Sequence, residues 1–174
     1  YNAAANQTTG NALPSSIVSP GEIRINNTGA AGNNTTTLTT NNTTTIILRL
    51  QQGLFAAGTG QQINIATGGS VSFLAPGGNQ SQAASAGYIN FVAAGTVSPG
   101  TGMQLHNVRL NNSSPTGVNM GGGNTSITGT LDIASGGYVT SGTAPTYTST
   151  PASTLRYSCN CNYGAGEEWY QNTY

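Results

Sequence analysis

Lysine is absent from this chain of 174 residues, and charge of either sign is scarce: four arginines, four acidic side chains and one histidine, with zero net charge at neutral pH. The fields that gather polyanions are therefore missing, which argues against nucleic acid and anionic membrane surfaces as partners. The same absence excludes a phosphate-binding P-loop, which requires a lysine, so the glycine run Met120-Gly-Gly-Gly-Asn124 reads as a turn. Long apolar runs are missing too. The longest, such as Ile46-Ile47-Leu48, fall far short of the roughly 20 residues of a membrane-spanning helix. No segment of helical length carries a 3.6-residue apolar period. Two cysteines supply neither a disulfide framework nor the ligands of a structural zinc, and the few acids form no calcium-binding cluster. No cofactor is expected.

What remains is a polar, uncharged chain rich in threonine, asparagine, glycine and serine, in which short apolar-polar alternations recur. Residues 23–25, 45–50, 63–65, 70–73, 88–92, 103–110, 126–127, 130–133 and 138–139 read as strands, each bounded by Gly, Asn or Pro. The chain is thus expected to be all-β. One internal repeat is visible. Ile63-Asn-Ile-Ala-Thr-Gly-Gly-Ser-Val-Ser72 aligns without gaps to Leu131-Asp-Ile-Ala-Ser-Gly-Gly-Tyr-Val-Thr140.

That unit reads as strand, Gly-Gly turn, strand, with Ile, Leu and Val facing inward. A β-hairpin satisfies the pattern, and so does a solenoid coil that turns a corner at the glycines. The second option also accounts for many very short strands at near-even spacing and for Asn and Thr where stacked rungs form side-chain ladders. A right-handed parallel β-solenoid is the expected fold, with an antiparallel β-sandwich as the alternative. The block TTTLTTNNTTT at residues 35–45 suits either a ladder or a solvated loop.

Further along, residues 124–139 (NTSITGTLDIASGGYV) are followed by Ala144-Pro-Thr-Tyr147, Ser153-Thr-Leu-Arg-Tyr157 and Glu168-Trp-Tyr170. In order and spacing this resembles a repeated module of giant cell-surface adhesins of Bacteroidota, substrates of the type IX secretion system that include gliding adhesins. The resemblance divides the chain into residues 1–116, an Asn/Thr/Gly-rich solenoid region, and residues 117–174, one module. It implies that the module continues past Tyr170 in a longer protein, and that Tyr147, Tyr157, Tyr163 and Trp169 are packing positions. It further implies an outer-membrane-attached, extracellular location. The partners it implies are adjoining modules of the same chain and the secretion or motility machinery, with glycan or homotypic contacts. The alternative function is a pilus-like subunit completed by a donated strand, with residues 1–13 as the arm, although their alternation is poor.

Candidate chemistry is sparse. The sole histidine, His106, alternates with Leu105 and faces outward without a nucleophile elbow nearby. Glu167 and Glu168 are adjacent; neighbours on a strand point to opposite faces instead of converging on one bond, and the pair reads as a turn and strand start next to Trp169. Asp132 has no partner nearby in sequence. No catalytic residue is assigned and the chain is read as non-enzymatic. In YSCNCNY, residues 157–163, the period of two sets Tyr157, Cys159, Cys161 and Tyr163 on one face of a strand. The cysteines then act as small apolar fillers, and a bridge between them is geometrically poor. Because a secreted chain with an even cysteine count normally pairs its thiols, a Cys159–Cys161 disulfide within a turn is the alternative.

Overall fold

The computed structural model describes residues 1–39, 42–73, 81–98, 103–112, 117–150, 152–162 and 166–169. Strand pairing between coils is parallel throughout and closes the chain into a β-solenoid of about six turns. Three faces share the backbone. The first is built from Asn2–Ala3, Glu22–Asn27, residues 47–52, residues 70–73, Gly95–Ser98, Gly117–Asn119 and Tyr138–Val139. The second takes Gln7–Thr8, Thr35–Leu38, Leu54–Ala57, Ser81–Gln82, residues 103–105, residues 125–127 and Thr146–Tyr147. The third stacks residues 43–45, residues 62–65, Tyr88–Phe91, residues 107–110, residues 130–133 and Thr154–Tyr157. The sandwich alternative is thereby replaced: the only antiparallel pairing among the described residues is the isolated bridge Ser149–Ala152.

Period-two alternation becomes a packed bore. On the third face, Ile63, Ile89, Val108 and Leu131 stand in one register column, and Ile65, Phe91, Leu110 and Ile133 in the next. Phe55, Leu105 and Ile127 fill the second face, and Ile23, Leu48, Val71 and Val97 the first. Nearly all are fully buried and belong to one continuous core. Each such side chain contributes about 1.5–3 kcal/mol on burial, so the bore is the main source of stability. The ladder passes residue 116 without interruption, since Gly95 and Thr96 pair with Val118 and Asn119.

The two copies of the internal repeat lie in the same stack. Ile63 and Leu131 share a column, joined through Ile89 and Val108, so the first arms superpose in register. Their second arms differ by two residues, because Val139 continues the column of Val118 and Gly95 while Val71 pairs with Val97. The Gly-Gly step is therefore a corner, not a hairpin. At residues 62–73 the chain keeps strand pairing on both sides of this corner and turns at Gly68, whose φ is +70°.

Corners are closed by glycine and by buried amides. Gly53 has φ +80°, and a Cβ there would lie 2.6 Å from the Asn34 carbonyl oxygen and 2.7 Å from that of Asn27. Asn27, fully buried, donates from Nδ2 to the Ala5 carbonyl (2.7 Å) and accepts from the Gly29 N–H (3.0 Å). Asn107 does the same at another corner, donating to the Ser85 carbonyl and accepting from the Thr130 N–H. Thr35–Leu38 and residues 43–45 are strands, so the threonine block forms part of the ladder; residues 40 and 41 lie outside the described set. The N-terminal segment is no free arm. Asn2–Ala3 and Gln7–Thr8 pair with the next coil, and Leu13 is buried in the core.

Candidate functional site

Arg109, Asp132 and Arg156, distant in sequence, are gathered by the coil repeat. Hydrogen bonds joining successive coils link residues 23 to 26 apart on the third face, which carries Asp132 onto Arg109 and Arg156. Asp132 is fully buried, although it points away from the bore. Arg109 Nε donates to Oδ2 (2.9 Å), Arg156 donates to Oδ1 (3.1 Å) and Oδ2 (2.7 Å), and Ser158 Oγ donates to Oδ1 (2.7 Å). Tyr88 lies alongside, its ring centroid 4.1 Å from the Arg109 guanidinium and its hydroxyl accepting from Arg156 (2.9 Å). Burial pushes the Asp132 carboxyl up, but the donors Arg156, Ser158 and Arg109 outweigh it and hold it below the usual range.

Arg24 and Arg49 are stacked in register on the first face, and Glu22 bonds to both, with 2.7 Å from Arg49 Nε. Hydrogen bonding from Arg49 and then from Arg24 lowers the Glu22 carboxyl. All four arginines thus belong to two clusters, each of two guanidiniums around one carboxylate. Asp132, without a partner nearby in sequence, is thus held between two guanidiniums and accepts from a hydroxyl as well.

The last coil is built differently from those before it. Where Ile133 and Ile127 fill the bore, the next residues in register are Tyr157 and Tyr147. Their hydroxyls reach the short 3₁₀ turn Glu167–Trp169: Tyr147 donates to the Glu168 carbonyl (2.8 Å) and Tyr157 to the Glu168 carboxylate (2.7 Å). Glu168 is fully buried, and Glu167 accepts from the Ser141 hydroxyl and the Gly142 N–H on the corner between the first and second faces. The turn therefore bridges all three faces across the end of the bore as a lid. The two carboxylates diverge within this tight turn, in line with the turn expected at this position. Trp169 corrects its expected packing role in part: it stacks on Tyr157 at a centroid distance of 6.2 Å but stays 55% exposed. Tyr163 lies outside the described residues.

The strand of Tyr157 ends at Tyr157 itself, which changes the reading of both cysteines. They sit in a bend, 5.3 Å apart between Cα atoms, and form the disulfide Cys159–Cys161. On an extended strand the separation is too wide; the bend brings the thiols together. Closing so short a loop removes little freedom from the unfolded chain, about 1.5 kcal/mol. Reduction is accordingly expected to lower the melting temperature by no more than about 5 °C. Circular dichroism with and without reductant measures this, and outright loss of β-structure would contradict it.

His106 is half-buried, with Nδ1 3.1 Å from Thr128 Oγ1, and burial pushes the imidazole below its ordinary range. Its strand neighbour Asn107 and its own N–H are tied to Gln82 Oε1, so the residue belongs to a corner of the frame. Among the described residues no group of three His, Cys, Asp or Glu stands close enough to hold a metal ion, and no helix is long and apolar enough to cross a membrane.

Three parallel sheets wound around one apolar bore make this a β-solenoid protein, with its ionic groups joining coil to coil along the outside. Comparison of the chain with protein-family models, with curated proteins and with solved structures returns no match.

Proposed function

We propose that the chain is a non-enzymatic stalk segment of a large extracellular surface protein that serves attachment and gliding. The observation that carries this reading is the uninterrupted parallel stack: every coil bonds to the next on three faces, so the segment is a stiff rod whose length grows by about 4.8 Å per coil. About six turns give a rod of roughly 30 Å. A polar, nearly uncharged exterior suits a spacer, and the resemblance of residues 117–174 to adhesin modules supplies the surface location. Adjoining modules of the same chain would continue the stack, and the secretion or motility machinery would anchor it.

Antibody labelling of intact cells, combined with in-frame deletion of residues 1–174, tests this. The segment is expected to be labelled without permeabilisation, and its deletion to reduce attachment or spreading on a surface. Labelling only after lysis, or unchanged attachment, would sink the proposal.

A further inference from the structure

We propose that the corner between the first and second faces, in the C-terminal half of the stack, is a binding groove for a neutral oligosaccharide. Two adjoining hollows of about 330 and 450 Å³ share Gly122 and Gly142 and together cross three successive coils. Three coils span roughly 14 Å along the axis, the scale of a short oligosaccharide and not of a single sugar. The walls carry the hydroxyls of Thr96 and Ser98 and the amide of Asn119, groups that both donate to and accept from sugar hydroxyls, and the Ser141 hydroxyl, whose proton goes to Glu167.

Gly123 is the most telling wall residue. A Cβ on it would meet nothing within 4 Å, and its φ lies outside the left-handed region, so neither packing nor backbone conformation demands glycine. A side chain there would stand in open space at the groove wall. Beside the groove, on the same face as Asn119, Tyr138 is 39% exposed. Its ring rests on Gly117 of the preceding coil, where a Cβ would fall 2.8 Å from Cε2. The exposed part of this side chain is offered as a platform for the apolar face of a sugar.

Charge selects among sugars. The chain has no lysine, and all four arginines are held in the two clusters elsewhere. The one charged side chain on the wall is Glu167, whose carboxylate disfavours uronates and other acidic units. A neutral glycan is the ligand class that these walls accept.

The test is calorimetric titration of the protein with trimers to hexamers of neutral gluco-, manno- and N-acetylglucosamine oligosaccharides, with oligouronates and an extended peptide as comparisons. At least one neutral oligosaccharide is expected to bind in the micromolar to millimolar range. Gly123→Leu and Tyr138→Ala are each expected to weaken it at least tenfold, with melting temperatures close to that of the parent. Lack of binding by every neutral oligosaccharide would overturn the proposal. So would equal binding of oligouronates, binding of the peptide in their place, or parental affinity in both variants. The stalk reading is judged separately, by attachment of cells lacking the whole segment.

Discussion

Replacing Asp132 with asparagine is expected to destabilise the stack by about 2–4 kcal/mol, below the roughly 3–5 kcal/mol of a wholly buried pair because the Arg109 and Arg156 side chains stay 28% and 45% exposed. For a chain of this size that corresponds to a fall in melting temperature on the order of 10 °C. The carboxylate is fully buried, and two guanidiniums from the coils on either side converge on it. Asparagine keeps the shape but leaves Arg109 and Arg156 with no countercharge, and it can accept from one side only. Glu22→Gln removes the same kind of partner at the other cluster. There the carboxylate is about a quarter exposed and Arg24 about half, so the expected loss is near 1 kcal/mol. Equal losses at the two sites would mean that burial is not what makes Asp132 important.

The same residues set the acid limit of the fold. Both carboxyls titrate lower in the folded protein than in the unfolded chain, so their contribution is fully present above the ordinary carboxyl range. It is lost as pH falls below about 4 and protons bind first to the unfolded chain. Asp132→Asn should therefore flatten the dependence of stability on pH in that window.

Phe91→Ala is expected to cost a further 3–5 kcal/mol or so, through lost burial and the cavity it opens. The ring occupies the centre of the bore, between Ile65 and Leu110 in its column and against Gly95 at the adjacent corner. Because the backbone ladder fixes the coil spacing, the neighbouring side chains have little room to close the gap. Hydrogen exchange in the native state provides the check. Protection should fall most in residues 81–98 and the coils on either side, as solenoid coils touch only their neighbours. An even loss from end to end would show that the stack opens as one unit.

The inward columns were legible because they obey a period of two: each of the nine segments read as strands coincides with described strand residues, apart from Val92, one residue beyond the end of its strand. Short polar strands such as Gln7–Thr8, Ser81–Gln82 and Thr146–Tyr147 escaped because nothing in their own residues alternates; pairing with neighbouring coils defines them. Corners also blur the pattern. In residues 43–52 the register shifts between Thr45 and Ile47, where the chain changes face without leaving the extended conformation. The cluster around Asp132 was invisible for a related reason. Arg109, Asp132 and Arg156 meet only once the coil length is known, and that length varies with each corner. The signal that was available lay in the repeat: the third-face columns through Ile63 and Leu131 also place residues 64, 90, 109, 132 and 156 in one outward row. The cysteine turn and the Glu168 lid depend on where a strand stops, which alternation does not specify.

The pairing of every arginine within its own cluster bears on how the protein responds to salt. Net charge is zero, and the ionic contacts of Arg49, Arg109 and Arg156 lie at 2.7 to 2.9 Å, well inside the roughly 8 Å screening distance of physiological salt. Added salt therefore finds little field to weaken between molecules and few open pairs to disrupt within one. The stability of the fold near neutral pH is accordingly expected to change little with ionic strength, with solubility resting on amides and hydroxyls that salt does not screen.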